Sequence, residues 1–163
     1  MGSFMSVAIL LRKCFYQVAG IFAPNDPKIL NNLGIVLYDQ AMIKKGAEAD
    51  ELFRQACEKY VKVIAINPDN YRAYNNWGNA AHMRAKIKSG AEADAFYKIA
   101  YEKYALTMSF KPDSYMTLTA WGTALSDQAQ TKKGAALCDY NSETTPSNNL
   151  ECKAVEKKHG TKF

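Results

Sequence analysis

Residues 67–78 read NPDNYRAYNNWG, a turn sequence followed by the start of an amphipathic segment. Asn and Asp side chains accept hydrogen bonds from backbone amides at turns and helix starts, and Pro cannot continue a helix. Landmark residues of this turn and of its flanking segments recur at a spacing of 44 residues. They are Pro24, Pro68 and Pro112; Gly34, Gly78 and Gly122; Tyr16, Tyr60 and Tyr104; and Gly2, Gly46, Gly90 and Gly134. A fixed period of this size indicates stacked supersecondary units that bury their apolar faces against one another.

Each unit contains two segments with helical spacing of apolar residues, separated by a glycine turn. In the second unit, Tyr74, Trp77 and Ala81 share one stripe, and Tyr97 and Ala100 share the next. We therefore predict an all-α fold, an α-solenoid of antiparallel helix pairs. We predict a repeat domain over residues 1–140 and an irregular tail over 141–163. The repeat domain contains, in order, a lone second helix over 3–22, full units over 27–67 and 71–111, and the first helix of a third unit over 114–133. The stripes predicted to face inward include Leu11, Phe15 and Val18 near the N-terminus and Leu118, Trp121 and Leu125 in the third unit.

Composition narrows the class of function. The chain has 163 residues, a formal net charge of +5 and four cysteines, and its basic residues are scattered. A nucleic-acid surface needs a denser basic stripe, and no Cys or His spacing fits a metal site, so we expect no nucleic acid, metal or other cofactor. The cysteine usage favours a reducing intracellular compartment, either the cytosol or an organelle. No segment is long and apolar enough to cross a bilayer, so we expect at most peripheral membrane contact.

Gly2 and Ser6 fit the loose pattern for N-myristoylation. The 44-residue register, or a vector-derived start, also accounts for Gly2.

The repeated residues form a known pattern. The motif Tyr74-x-x-Trp77-Gly78-x-x-Ala81, then Ala100-x-x-x-Tyr104 and Pro112, resembles the tetratricopeptide repeat, and residues 30–68 carry the same motif. This resemblance implies an α-solenoid that binds other proteins. The family's usual unit has 34 residues, so the units here are ten residues longer, which extends both helices near their connecting turn. The long units are also similar to those of plant and algal organelle proteins of this superfamily, including the plant-type mitochondrial presequence receptor.

The resemblance implies a groove lined by the first helix of each unit. The positions that match this inner face are Asn31, Ile35, Tyr38, Arg72, Asn75, Asn79, His82, Thr119 and Thr123. Asn side chains both donate and accept, so they can hold the backbone of an extended peptide, and Arg72 can bind a carboxylate. The alternative is that these side chains form an ordinary solvated helix face. Family members that bind chaperone tails use a Lys where this chain has Asn31 or Asn75, so we do not expect that activity.

The N-terminal helix carries more apolar residues than one buried stripe requires, which is typical of an interface. The predicted interface residues are Val7, Ile9, Leu10, Phe15 and Phe22. No nucleophile elbow, zinc-binding helix motif or phosphate-cradling loop occurs in the sequence, so we expect no catalytic residues. We predict a non-enzymatic scaffold, a structural subunit or assembly factor of a larger complex. The alternatives are a receptor for extended or amphipathic peptides, such as targeting sequences, and a peripheral membrane component held by this helix.

Overall fold

The computed structural model of the chain describes the backbone of residues 2–144 and the side chains of residues 6–134. The described part consists of six α-helices joined by short turns and contains no strand. The helices are α1 (Gly2–Phe22), α2 (Pro27–Met42), α3 (Gly46–Ile66), α4 (Tyr71–Ile87), α5 (Gly90–Phe110) and α6 (Tyr115–Thr144).

The helix starts follow the turn chemistry of the sequence. Asp26 caps α2 by accepting a hydrogen bond from the backbone amide two residues further along, at 2.7 Å. Asn70 caps α4 by accepting from the amide three residues further along, at 3.1 Å. Gly46 and Gly90 begin α3 and α5 with φ angles of +57° and +55°. Other residues adopt this left-handed conformation only at a cost, so glycine permits the tight reversal between paired helices.

Two antiparallel helix pairs, α2 with α3 and α4 with α5, have the most extensive contacts. In each pair a tyrosine ring lies against a glycine. A Cβ atom on Gly34 would lie 2.5 Å from Cε1 of Tyr60, and one on Gly78 would lie 2.7 Å from Cε1 of Tyr104. Both rings are fully buried. Glycine and tyrosine therefore recur in one register because the ring fills the space that the missing side chain leaves.

Neighbouring pairs are joined by further helix contacts. α3 packs on α4 and α5 packs on α6, while α2 touches α4 and α4 touches α6. Arg84 of α4 lies 2.6 Å from Asp50 of α3, and the Tyr101 hydroxyl of α5 donates to Gln128 of α6 at 2.8 Å. Buried side chains form one cluster across α2, α3 and α4 and a second across α4, α5 and α6. The all-α fold with packing between neighbouring helices confirms that part of the prediction.

The third unit differs from its prediction. A first helix was expected over residues 114–133, with a turn at Gly134, but α6 continues through Gly134 to Thr144. Residues 141–144 of the predicted irregular tail are therefore helical, and residues 145–163 lie outside the described part. After Gly134, Ala136 replaces the glutamate in the first turn of α3 and α5, and Asn141 replaces their buried Phe53 and Tyr97. Without those residues, the downstream segment lacks the apolar stripe that a paired helix buries.

The inward stripe predicted for the N-terminal helix is wrong. Leu11, Phe15 and Val18 are exposed, whereas Ile9, predicted as an interface residue, is buried. The reason is the direction of packing. α1 packs mainly on α2, to which Lys13 donates a hydrogen bond at 3.0 Å, and Ile9 lies on the same face one turn earlier. The helix therefore presents the other side of its apolar surface to solvent.

The inward stripe predicted for α6 is only partly correct. Ala124 is buried and Trp121 is half-buried, but Leu118 and Leu125 are exposed. α6 is covered by α5 and α4 on one side. Within the described residues no helix covers the side that carries the two leucines.

Candidate protein-binding groove

A cleft of about 720 Å³ lies between the N-terminal parts of α2, α4 and α6. Four of the predicted groove residues line it: Asn31, Ile35, Arg72 and Asn75. The remaining wall residues are Asn32, Tyr71, Asn76, Lys111, Asp113, Ser114, Tyr115, Met116 and Thr117. The first helices of successive units thus bring the predicted residues to one concave surface.

Two smaller clefts adjoin this one because they share wall residues with it. One, of about 600 Å³, shares Asn31 and Arg72 and extends past the start of α2. The other, of about 230 Å³, shares Ile35 and extends to two more predicted residues, Tyr38 and Asn79. We call the three clefts together the helix-A groove. Six of the nine predicted residues line it, and they are Asn31, Ile35, Tyr38, Arg72, Asn75 and Asn79.

The asparagines of the groove also hold helices together. The Asn76 amide of α4 donates to Oδ1 of Asn31 at 3.2 Å. The Thr117 hydroxyl of α6 donates to Oδ1 of Asn75 at 2.9 Å. The hydrogen bonds at Asn31 and Asn75 use the amide oxygen, so they do not consume the two donors of the NH₂ group. The same side chains can therefore fix neighbouring units in register and donate to a bound peptide carbonyl.

Asn79 connects the groove to the packing inside a pair. Its Oδ1 accepts a hydrogen bond from the hydroxyl of Tyr104 at 2.9 Å. Burial raises the pKa of Tyr104, so this hydroxyl keeps its proton and remains a donor. Replacing Asn79 by alanine would leave a mostly buried hydroxyl without this acceptor, which makes that substitution a poor probe of binding alone.

Arg72 is an exposed cation of the large cleft. Its guanidinium lies 5.9 Å from the centre of the Tyr71 ring, and the described residues place no carboxylate within ion-pair distance of it. The nearby Lys111 is different, because it forms an ion pair with Asp113 at 2.8 Å. The hydrogen bond from Lys111 lowers the pKa of Asp113, so the pair stays charged on both sides. In the large cleft, Arg72 is thus the cation that a ligand carboxylate can bind without displacing Asp113.

His82 is not in the groove. Its side chain is buried, with 4% of the residue exposed, and Nε2 lies 2.9 Å from a carboxylate oxygen of Asp127 in α6. Burial lowers the pKa of His82 in spite of this carboxylate, so the ring is neutral at pH 7. Asp127 also binds Lys86 at 2.8 Å. His82 therefore joins α4 to α6 instead of facing a ligand, which the sequence spacing alone did not reveal.

Thr119 and Thr123 lie outside the helix-A groove. Both are exposed on α6, and each donates its hydroxyl to a backbone carbonyl one turn earlier in the same helix, at 2.9 Å. Among the wall residues that the sequence did not single out, Tyr115, Met116 and Thr117 form the α6 wall of the large cleft. Their signal was their position directly after the Pro112 turn, which places them at the start of a first helix.

The exposed apolar residues form two further surfaces. On α1, four of the five predicted interface residues, Val7, Leu10, Phe15 and Phe22, are exposed, and Phe15 and Phe22 expose 67% and 84% of their surface. We call this the α1 face. On α6, Leu118 and Leu125 are exposed on the side away from α5, with Gly122 between them. We call these three residues the α6 face.

The described residues contain no cluster of three or more His, Cys, Asp or Glu side chains that could hold a metal ion. Burial raises the pKa of the Cys57 thiol to about 12, which keeps it protonated and unreactive at pH 7. None of the described helices is both long enough and apolar enough to cross a bilayer. Comparison with known proteins gives no family model that matches the chain and no curated protein with significant similarity to it.

Proposed function

We propose that this chain is a non-catalytic protein-binding scaffold of the tetratricopeptide type, acting as a structural subunit or assembly factor of a larger complex. The 44-residue period and the antiparallel pairs with their Gly–Tyr contacts support a solenoid of long units. The contacts of α2 with α4 and of α4 with α6 support the same arrangement.

The α1 face carries this proposal. Phe15 and Phe22, together with Leu11, Val18 and Ile21, leave more than half of their surface exposed on a single helix. Soluble monomers rarely expose apolar residues so densely, and such surfaces usually contact another protein. Helix α3, which occupies the same place in the next unit, carries the polar residues Gln55, Lys59 and Lys62 where α1 carries Leu11, Phe15 and Val18.

A co-purification experiment tests the scaffold. The tagged full chain is recovered from its native cells under gentle conditions, and the particle is sized and its proteins are quantified. We expect a particle of fixed stoichiometry that the double variant Phe15→Ser/Phe22→Ser loses. The matched control is Val61→Ser/Ile66→Ser, which removes two exposed apolar residues from α3 and should leave the particle intact. A particle that survives the α1 variant, or a chain recovered alone, contradicts the proposal.

A second candidate function is supported by the helix-A groove, which fits an extended peptide in size and in its polar groups. In this function the chain is a receptor for extended or amphipathic segments such as targeting sequences. Arg72 would bind an acidic side chain or a terminal carboxylate of the peptide, and the asparagines would bind its backbone.

Arg72→Ala tests the groove without disturbing the fold, because Arg72 is exposed. The probe is a set of fluorescent 12-residue peptides, matched in composition, with and without a carboxylate at the centre. We expect binding of the acidic peptides to weaken about tenfold, or about 1.4 kcal/mol. Arg54→Ala is the charge-matched control, since Arg54 lies exposed on α3 outside the groove. Equal binding by the Arg72 variant and the control excludes this use of the groove.

A further inference from the structure

We propose that α1 of one copy of this chain docks on the α6 face of a second copy and completes its third unit as the second helix of the pair. This inference rests on the scaffold function and names one of its partners, a second copy of the same chain. The contact is head to tail, because it joins two different surfaces.

The α6 face is the part of a helix pair that its second helix normally covers. Leu118, Gly122 and Leu125 stand 44 residues after Tyr74, Gly78 and Ala81 of α4. In α4 the glycine is covered by the Tyr104 ring, whereas among the described residues no atom lies within 4 Å of a Cβ placed on Gly122. The α6 face is therefore a suitable docking surface for a helix that carries a tyrosine in that register.

α1 carries that tyrosine. Tyr16 stands 44 residues before Tyr60 and 88 before Tyr104. It therefore occupies the register position whose ring covers the glycine in the pairs α2–α3 and α4–α5, which we call the closed pairs. Tyr60 contacts Gly34 and Tyr104 contacts Gly78 with the same spacing of 26 residues along the chain. Placing α1 on α6 in this register brings Tyr16 of one copy over Gly122 of the next.

The same register supplies partners for the two most exposed phenylalanines that were predicted as interface residues. Phe22 corresponds to Phe110, whose ring stacks on Tyr74 with 5.8 Å between centroids, so Phe22 would meet Leu118. Phe15 corresponds to Lys103, whose ammonium lies 4.2 Å from the centre of the Trp77 ring. By the same shift, Phe15 would lie on Trp121, which is half-buried. Two exposed aromatic rings of α1 thus find apolar partners on α6.

The residues that follow α6 in this chain match the α6 face less well than α1 does. If the sequence after Gly134 formed the second helix of the third unit, Asn148 would take the position of Tyr60 and Tyr104. Glu151 would take the position of the buried Thr107. A second copy supplies a tyrosine and an alanine, Tyr16 and Ala19, at those two positions. The sequence match therefore favours α1 of another copy over the chain's own C-terminal residues.

One residue of α1 opposes the contact. Arg12 stands where Ala56 and Ala100 lie fully buried in the closed pairs. Its side chain turns toward α2 of its own chain and forms an exposed ion pair with Asp39 at 3.3 Å. Docking must keep this guanidinium at the edge of the interface, so the association is weaker than the contacts within a pair. Replacing Arg12 by the alanine of the closed pairs should strengthen it.

Sedimentation velocity of the purified full chain from 1 to 100 µM tests the proposal. We expect the mass to rise with concentration beyond that of a dimer, because a head-to-tail contact leaves one α1 face and one α6 face open on every assembly. Phe15→Ser, on the α1 face, and Gly122→Val, on the α6 face, should each be monomeric over the same range. Both positions are exposed, so neither variant should lose helix content by circular dichroism or have a lower melting temperature than the parent chain at 1 µM.

Mixing the two variants gives the sharpest outcome. The Phe15→Ser copy retains its α6 face and the Gly122→Val copy retains its α1 face, so an equal mixture should form dimers and nothing larger. A contact between two α1 faces would not be restored by mixing. Arg12→Ala should lower the concentration of half-association severalfold, and Val61→Ser on α3 should not change it. A mixture that stays monomeric overturns the proposal.

A wild-type chain that is monomeric at 100 µM also overturns it, including the case in which residues 145–163 cover the α6 face. That result leaves the scaffold function standing, because the particle recovered from cells is a separate measurement. Conversely, a chain that self-associates as described but enters no particle with other proteins supports this contact and contradicts the scaffold.

Discussion

The second and third units begin alike and end differently. Trp77-Gly78 and Trp121-Gly122 occupy the same place in α4 and α6. In the second unit the Tyr104 ring fills the space over Gly78, whereas none of the residues that the structure describes fills the space over Gly122. The sequence of the first helix is therefore insufficient to close a pair. Closure depends on the second helix, which must bring its own apolar stripe and its tyrosine.

The turn glycines support the same conclusion. Lys-Ser-Gly at Gly90 and Lys-Lys-Gly at Gly134 are nearly the same signal, yet Gly90 has a φ of +55° and reverses the chain, while Gly134 lies inside α6. A glycine permits a left-handed turn without enforcing one. The turn forms where the following residues gain enough from burial to offset the order it imposes, as Phe96 and Tyr97 do after Gly90.

The largest test compares the tyrosines of the closed pairs with the tyrosine of α1. Tyr104→Ala should lower the free energy of unfolding by about 3–5 kcal/mol, because it removes a fully buried ring and leaves a cavity over Gly78. Tyr16→Ala should cost less than about 2 kcal/mol, since Tyr16 is only half-buried. Urea denaturation at 1 µM, where self-association is minimal, measures both. Equal losses would show that α1 is packed as tightly as α5.

Replacing Gly78, which lies under a tyrosine ring, and Gly122, which does not, should change the free energy of unfolding in opposite directions. Gly78→Ala places a methyl group 2.7 Å from the Tyr104 ring and should destabilise the chain by about 1–3 kcal/mol. Gly122→Ala meets no neighbour within 4 Å in the described part of the chain and should stabilise α6 by about 0.5–1 kcal/mol, the usual gain over glycine inside a helix. Urea unfolding of both single variants at 1 µM measures the two changes. A loss of stability in both variants would mean that the face of α6 is already covered in the free chain.

Much of this fold could be predicted from sequence because its determinants are local and repeated. The 44-residue spacing alone predicted where α4 starts at Asn70, where the chain turns at Gly90 and where Tyr104 lies in its helix. The groove residues followed because a helix face is fixed by its spacing, and six of the nine line adjoining clefts.

The failures concern what a helix packs against, which spacing does not encode. Ile9 and Phe15 lie on different sides of one apolar helix, and only the contact with α2 decides which side is buried. His82 matched the inner face by position, but its neighbour Asp127 is 45 residues away and draws it into the packing. Gly134 matched the turn register, but the signal for a turn includes the residues that come after it.

The two turn glycines give a third, smaller test. Gly90→Ala should cost roughly 1–2 kcal/mol, because the left-handed φ is unfavourable for alanine. Gly134→Ala should stabilise the chain by up to about 1 kcal/mol, because it improves a helix interior. Circular dichroism during thermal unfolding compares the two variants with the parent chain. A loss of stability in the Gly134 variant would show that this glycine serves as a turn in solution.

The smallest expected effect is on the pH dependence of stability, at the contact between the second and third units. There Nε2 of His82 in α4 lies 2.9 Å from a carboxylate oxygen of Asp127 in α6. Burial lowers the pKa of His82 in the folded chain, so the unfolded chain takes up the proton first as the pH falls. The free energy of unfolding should therefore decrease as the pH drops below about 6.5, until the pH reaches the folded pKa. The pKa of Asp127 is also lowered: burial opposes this shift, but the hydrogen bonds from Lys86 and His82 outweigh burial, so its own contribution is lost only at more acidic pH.

Urea unfolding between pH 7.5 and 5 isolates the histidine. His82→Gln keeps a side-chain donor for Asp127 but does not titrate, so its stability should vary less with pH than that of the parent chain. His159→Gln is the matched control, because it removes the other histidine of the sequence and leaves His82 in place. The control should keep the slope of the parent. If both variants keep it, the acid sensitivity arises elsewhere, and the joint between α4 and α6 does not depend on a neutral imidazole.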